Sequence, residues 1–417
     1  MSCLRVFGGF PLEGEIKIQG SKNAVLPMMA AALLVPGEVR FENCPDIADV
    51  RAMAVLLEKL GAAVKLEGGI LTINASGAHP VFLDEKDMAD TRGCILLLGA
   101  LAARFGEAAV SHPGGCVIGK RPVDLHLFAL KQLGANLSGE DVIRCERSCL
   151  KGAEVVFPMP SVGATQNALL AAVLADGVTW IHNAAREPEV LHLCNFLNAA
   201  GADITGMGTS HLCIRGVKKL SPVCYRVPAD RIVAGTYMAA VLCAGGRVFL
   251  REAGGDELLA VTRPLKAAGA AIRVLADGIL VEKKRRLRAF DYIKTEPYPG
   301  FPTDMQSQFL VLAALAEGVC VIEETIFEAR FGIVPELKKM GAQIYVEENK
   351  AVVEGQESLT GRMLCGRDLR GTAALVLAAL SAKGESVVGG MEYLERGYEN
   401  FVQSLGRLGA RVREEGL

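Results

Sequence analysis

The stretch LEKLGAAVKL, residues 57–66, reads as the end of a helix, a glycine, and the start of a strand. The phrase returns five more times, as LKQLGANL (130–137), LNAAGADI (197–204), LKAAGAAI (265–272), LKKMGAQI (337–344) and LGRLGARV (405–412). Its glycines, Gly61, Gly134, Gly201, Gly269, Gly341 and Gly409, stand 67 to 73 residues apart. Each fits the position just past a helix C-terminus, where a left-handed backbone ends the helix and leads into a strand. A second phrase precedes it: an Ala/Leu-rich helix ends at a glycine and an alternating strand follows, as in AALLVPGEVRFENC (31–44), AAVLADGVTWIHNA (171–184) and LAALAEGVCVIEET (312–325). The first half of each reads as a buried helix, the second as a strand with one face covered. Self-similarity at a fixed period marks a repeat architecture. Six α/β units suggest two lobes of three. A closed propeller would also repeat, but its blades lack Ala-rich helices.

Composition narrows the class. At 417 residues the chain exceeds one ordinary core. With 51% hydrophobic residues it is globular, and with 6% aromatics and a single Trp its core is aliphatic. A net charge of −2 excludes a whole-molecule nucleic-acid footprint, so an anionic substrate must be held by local cations. Twelve cysteines are scattered evenly with no C-x-x-C pair, which argues against a zinc ribbon or a thioredoxin-type site. They read as buried small hydrophobes in a reduced cytoplasm. MSCLRVFGGFPLEGEIKIQG (1–20) has no basic segment followed by an apolar run, so it does not read as a signal peptide. The longest apolar runs, such as VLPMMAAALLV (25–35), are too short to span a bilayer.

Four stretches carry candidate chemistry. In GSKNAVLPMMAAALL (20–34), Ser21 is a plausible N-cap and Lys22 falls in the first turn. The helix dipole disfavours a cation there unless an anion joins it. Lys22 with Asn23 is therefore an anion site, or Lys22 is a solvated lysine. In HPGGCVIGKRPVDLH (112–126), three glycines and two prolines preclude a regular element. Lys120 and Arg121 favour the thiolate of Cys116. That thiol is a nucleophile, a general acid, or one incidental cysteine of twelve. In YPGFPTDMQSQF (298–309), Asp304 is an N-cap or a general base. EARFG (328–332), DLRG (368–371) and ERGYE (395–399) each set an arginine at an element edge, singly an ordinary surface position. Lys22, Arg92 and Arg121 lie in the first half, Arg330, Arg370 and Arg396 in the second. Lobes that face each other would bring six cations onto one strongly anionic ligand.

Taken in order, GSKNAVLPMMAAALL, GGCVIGKRPVDLH, SVGATQN, NAAREPEV, PADRIVAGT, FPTDMQSQF, DLRG and ERGYENF resemble the enolpyruvyl transferase family. Within it the likeness is to the UDP-N-acetylglucosamine 1-carboxyvinyltransferases of peptidoglycan synthesis, over essentially the whole chain. The resemblance implies a two-domain inverted α/β barrel, helices inside and sheets outside, with three βαβαββ units per domain. It implies one domain at 22–229 and the other at 1–21 plus 230–417. The implied reaction moves the enolpyruvyl group of phosphoenolpyruvate onto the 3'-hydroxyl of UDP-N-acetylglucosamine and releases phosphate, by addition and elimination. It is the first committed step of cell-wall synthesis. Cys116 matches the general acid, on a loop that closes over the substrate, and Asp304 the residue that accepts the sugar hydroxyl proton. Lys22, Arg121 and Arg396 match the group that holds phosphoenolpyruvate, and Arg92, Arg330 and Arg370 match further active-site cations. Arg121, Pro122, Val123, Asp124 and Leu125 match the segment around the uracil ring. Ser161, Val162 and Gly163 match the diphosphate contacts, Ile326 a nucleotide-sugar contact, and Asn23 a substrate-positioning residue. No metal or organic cofactor, nucleic acid or membrane partner is implied; the partners are the two small-molecule substrates. A reactive thiol here also implies sensitivity to fosfomycin.

Three positions depart from the pattern. Met159 stands where a diphosphate-binding lysine often sits, which weakens nucleotide binding by about 1–3 kcal/mol if no other cation substitutes. Val233 replaces an acidic residue and Ala329 an asparagine. These bear on affinity more than on chemistry, since Lys22, Cys116, Asp304 and Arg396 are all present. Two other readings remain. One is the shikimate-pathway synthase, which shares the fold and phosphoenolpyruvate. The other is a catalytically weak paralogue that binds the UDP-sugar as a sensor.

Overall fold

All six repeat glycines take positive φ, from 85° to 104°, in the computed structural model, which describes residues 2–112, 118–119, 122–146 and 149–416. A side chain is strained in that backbone region, so the position selects glycine. The helices they end are Ala48–Lys59, Asp124–Gln132, Pro188–Ala199, Leu259–Ala267, Val334–Lys339 and Phe401–Arg407. A second set of six, Lys22–Ala32, Leu96–Phe105, Val162–Ala172, Arg231–Ala244, Gln306–Leu315 and Leu369–Ser381, is apolar nearly all round. Such helices have no face suited to water and end up buried. In Arg231–Ala244 every residue from Ile232 to Cys243 is buried.

Each core helix hands the chain to a strand that alternates buried and exposed, such as Glu38–Glu42, Val178–His182 and Val319–Glu323. That strand is the second of four in its sheet. On one side it pairs in parallel, most often with a strand that precedes the core helix, as Val178–His182 does with Glu154–Val156, whereas Glu38–Glu42 takes Cys224–Arg226 from the end of its unit. On the other it pairs antiparallel, in most sheets with a hairpin, as with His211–Arg215 and Asp203–Thr205. Among the described residues, five sheets have four strands. The sixth has three, and a parallel bridge from Leu83 to Val110 stands in for the missing edge.

The chain forms two units, each with its own hydrophobic core. One runs through the described residues between Gly20 and Pro228, except Ile118 and Gly119. The other takes the chain up to Gln19, Ile118 and Gly119, and everything from Ala229 onward. In the second unit the core helices Arg231–Ala244, Gln306–Leu315 and Leu369–Ser381 pack on one another. Its last sheet is completed from the far end of the sequence. Strand Ser2–Phe7 lies between Glu385–Gly389 and Arg411–Gly416, antiparallel to both, with Leu4 and Val6 fully buried.

All eleven described cysteines are free thiols, and eight of them are buried. Among the described residues no helix is long and apolar enough to cross a membrane.

Candidate active site

In the 229–416 unit the three core helices begin near one another, each at an aspartate. Asp230 Oδ1 accepts from the backbone N–H groups of Ile232 and Val233 at 2.8 and 3.0 Å. Asp368 Oδ1 accepts from Arg370 and Gly371 at 3.1 and 2.9 Å. Asp304 breaks the pattern and corrects the N-cap reading. It lies in the 3-10 turn Thr303–Met305, whose N-cap is Pro302, and its side chain caps nothing. Oδ1 accepts from Arg330 Nη2, and Oδ2 accepts from Arg370 Nη2 and Nε at 3.0 and 3.2 Å. Two guanidiniums offer charge-assisted bonds that outweigh a neutral backbone N–H.

The two arginines are not surface residues. The side chains of Arg330 and Arg370 are each 3% exposed. Arg330 also lies 3.7 Å from Asp368, donates to Thr303 Oγ1 at 3.2 Å, and sits over the Phe327 ring. Arg370 sits over the ring of Tyr398, whose hydroxyl shares a 2.9 Å hydrogen bond with Thr236. Burial alone pulls the Arg370 guanidinium down, but Tyr398, Asp304 and Asp230 around it raise it overall. Its Nη1 is buried and has no hydrogen-bond partner among the described residues. Arg396, half-buried in the turn after Met391–Leu394, has polar interactions of its own.

Glu324 underpins this end of the unit. It is 3% exposed and takes four donors: Thr295 Oγ1, Ile326 N and Phe327 N on Oε1, and Thr303 Oγ1 on Oε2, at 2.8 to 3.1 Å. It thereby fixes both Ile326, 37% exposed, and the residue before Asp304. Ala329 contributes through its main chain, with its N–H donating to Ile118 O at 3.1 Å. Val233 is buried in the core, where an acidic side chain would have to be desolvated.

The 20–228 unit differs in charge. Its core helices start at Ser21, at Thr91 through the turn Arg92–Ile95, and at Ser161. Thr91 and Ser161 accept from Gly93 N and Ala164 N at 3.3 and 3.4 Å, while the Ser21 hydroxyl makes no capping bond. Neutral caps leave the positive ends of the helix dipoles without fixed counter-charge. Lys22 stands at one of these starts with its side chain 14% exposed, donating to Asp49 Oδ2 at 3.1 Å, so it is not a solvated lysine. Asn23 and Arg92 are half-buried beside their helix starts.

His126 lies at the centre of this end, 8% exposed. Asn167 binds it: Nδ2 donates to His126 Nδ1 at 3.0 Å and to Ile95 O at 3.1 Å, and Oδ1 accepts from Gly99 N at 2.8 Å. An amide N–H can only donate, so the proton of the neutral imidazole is on Nε2. Burial pushes His126 down to about 4; nearby Arg92 adds to this and Asp124 opposes it. The ring lies against Gly163, where a Cβ would come within 2.9 Å of Cε1. Ser161, Val162 and Gly163 are half-buried, Pro122 and Asp124 exposed, Val123 buried, and Leu125 half-buried. Met159 is 60% exposed. Cys116, Lys120 and Arg121 lie outside the described residues. Among the described thiols, burial pushes Cys94, Cys194 and Cys243 up to about 12, so none of these is a thiolate at neutral pH.

The sequence reading missed Asp49 and His126 at the helix starts of the 20–228 unit, and Glu324 and Asp368 at those of the 229–416 unit. Asp368 was visible as an N-cap candidate before an apolar helix. His126 ended a quoted segment without a role. Glu324 left no local mark, because its partners come from three separate stretches.

A chain with this fold and these helix starts matches known enolpyruvyl transferases. The family model of EPSP synthase (3-phosphoshikimate 1-carboxyvinyltransferase) matches residues 6–405. The enolpyruvyl transferase NikO of Streptomyces tendae superposes with a TM-score of 0.89 at 27% identity, covering 99% of this chain and 98% of that one. An EPSP synthase of Acinetobacter baumannii superposes at 0.78 with 20% identity over the full length of both, a likeness of fold alone. Curated relatives named UDP-N-acetylglucosamine 1-carboxyvinyltransferase include one from Granulibacter bethesdensis, 46% identical over 99% of both chains. Another, from Desulfovibrio desulfuricans, is 45% identical over 100% of both. The chain belongs to the enolpyruvyl transferases, in the branch of the UDP-N-acetylglucosamine 1-carboxyvinyltransferases.

Proposed function

We propose that the protein transfers the enolpyruvyl group of phosphoenolpyruvate to the 3'-hydroxyl of UDP-N-acetylglucosamine, the first committed step of peptidoglycan synthesis. The observation that carries this is near-full-length identity of 43–46% with proteins named for that reaction. In the proposed chemistry the sugar oxygen bonds to C2 of phosphoenolpyruvate while C3 takes a proton from the Cys116 thiol. The hydroxyl proton goes to the Asp304 side. Elimination then removes a C3 proton and expels phosphate, restoring the vinyl group. Lys22, Arg121 and Arg396 hold phosphoenolpyruvate, with Arg92, Arg330 and Arg370 as further cations. Such preorganised charge stabilises a phosphorylated, carboxylated transition state. The buried Arg370 Nη1, with no geometric hydrogen-bond partner among the described residues, supports a ligand role for that side chain. Ser161, Val162 and Gly163 bind the diphosphate. Uncompensated helix N-termini beside Lys22 and Arg92 support an anion there. Pro122 to Leu125 with Arg121 face the uracil, Ile326 meets the nucleotide-sugar, and Asn23 positions substrate.

The same reading takes each domain as an inside-out α/β barrel, at 22–229 and at 1–21 with 230–417. Buried core helices and outward sheets in each unit support it. It places the enzyme in the cytoplasm, in keeping with the free thiols.

The test is phosphate release from phosphoenolpyruvate, with and without UDP-N-acetylglucosamine, beside a Cys116→Ala sample. Sugar-dependent release that the variant loses supports the proposal. Release with shikimate 3-phosphate instead would favour the shikimate-pathway synthase. Tight UDP-sugar binding with no release would favour a sensor, which the exposed Met159 in place of a cation keeps in view. Fosfomycin should add its mass to the wild type and not to Cys116→Ala.

A further inference from the structure

One outward sheet face of the 20–228 unit carries side chains with no part in the proposed reaction. His182 and His211 stand directly opposite each other on the antiparallel strands Val178–His182 and His211–Arg215. Their Nδ1 atoms are 3.0 Å apart, with ring centroids at 5.2 Å and planes inclined by 70°. The other nitrogen of His182, Nε2, is 3.1 Å from Glu154 Oε1 on the neighbouring parallel strand. Beneath them Thr179, Ile181, Leu212 and Ile214 are buried, which fixes both backbones and the spacing of the pair.

Two neutral imidazoles this close share one proton. With its Nε2–H donating to Glu154, His182 accepts at Nδ1 and His211 donates from Nδ1. A cation can take the place of that proton once His211 carries its own proton on Nε2. Metal–imidazole bonds are about 2.0–2.1 Å long. Two such bonds at a right angle put the nitrogens about 3 Å apart, as they already are. That angle suits octahedral or square-planar ions more than tetrahedral ones. A carboxylate on the far nitrogen is also the usual second partner of a ligating histidine.

We infer that His182 and His211 form a two-imidazole site for a late first-row divalent cation, Ni2+ or Cu2+, with Glu154 orienting His182 and water completing the coordination. Among the described residues no group of three or more side chains could hold a metal ion, so the protein supplies two ligands here and water the rest.

Trp180, the only tryptophan in the chain, reports on it. It is 49% exposed on the same strand and face, two residues from His182, about 7 Å along the strand. Titrating the full chain with NiCl2 should quench this emission saturably, with one Ni2+ retained per chain in equilibrium dialysis. His211→Ala and His182→Ala should each raise the midpoint at least tenfold and keep the wild-type circular dichroism and phosphate release. Glu154→Gln should raise it by about tenfold. Cys213 lies across from Trp180, so Cys213→Ser is the control and should keep the quench. Unsaturable quenching, an unchanged midpoint in both histidine variants, or loss of the quench in Cys213→Ser overturns the site.

Discussion

His126 makes the 20–228 unit sensitive to acid by a calculable amount. The unfolded chain binds a proton on this histidine below its ordinary value of 6.5, while the folded chain, with the ring buried and accepting from Asn167, refuses it until about 4. The folded-state value is depressed, so the stabilising contribution is complete above pH 6.5 and is lost as pH falls towards 4. At about 1.36 kcal/mol per unit, the total is about 3 kcal/mol, of which about 2 kcal/mol has gone by pH 5. The assay is urea unfolding followed by Trp180 fluorescence, which belongs to the same unit. Wild type and His126→Gln are compared at pH 7 and pH 5. Groups common to both cancel in the difference. The wild type should lose about 2 kcal/mol more than the variant, a midpoint displacement of about 1 M urea. Equal losses would refute the claim that a buried neutral imidazole is present.

Asp304→Ala leaves two buried guanidiniums without their shared carboxylate. Unfolding by circular dichroism should show a loss of about 3–5 kcal/mol, and phosphate release should fall at least about a hundredfold. Added inorganic phosphate should restore part of the stability and none of the activity. Glu324→Ala frees four donors that hold Ile326, Phe327, Thr295 and Thr303. It should raise KM for the nucleotide-sugar more than it lowers kcat in steady-state assays. Gly341→Ala has no atom within 4 Å of the new Cβ, yet φ is +98°. It should cost about 1–2 kcal/mol through backbone strain alone, read from the urea midpoint.

The repeat was legible because each unit must end a helix and start a strand at one residue that only glycine tolerates well, and that residue recurs. Alternation in Glu38–Glu42 and Val178–His182 likewise predicted one-sided burial, because the strand pleat is local. The site was less legible. Arg330 and Arg370 read as surface arginines since nothing nearby in sequence shows that Asp304, 26 and 66 residues away, will neutralise them. The same pairing drew Asp304 away from the cap its position advertised. His126 gave no sign that Asn167, from the next repeat, would hold it neutral. The short Leu83 bridge and the strand at Ser2–Phe7 take their meaning from partners far along the chain.

That first strand sets a timetable for synthesis. The ribosome delivers Ser2–Phe7 hundreds of residues before the strands that flank it, Glu385–Gly389 and Arg411–Gly416. The chain from Gly20 to Pro228 is complete in sequence well before then, and domains tend to fold as units during translation. Leu4 and Val6 must therefore wait until Glu385–Gly389 and Arg411–Gly416 have left the tunnel. The unit whose first segment is made before the other unit closes after it. Removing Arg411–Gly416 would leave Ser2–Phe7 with one unpaired edge, a substrate for chaperones or for a second copy of the same chain.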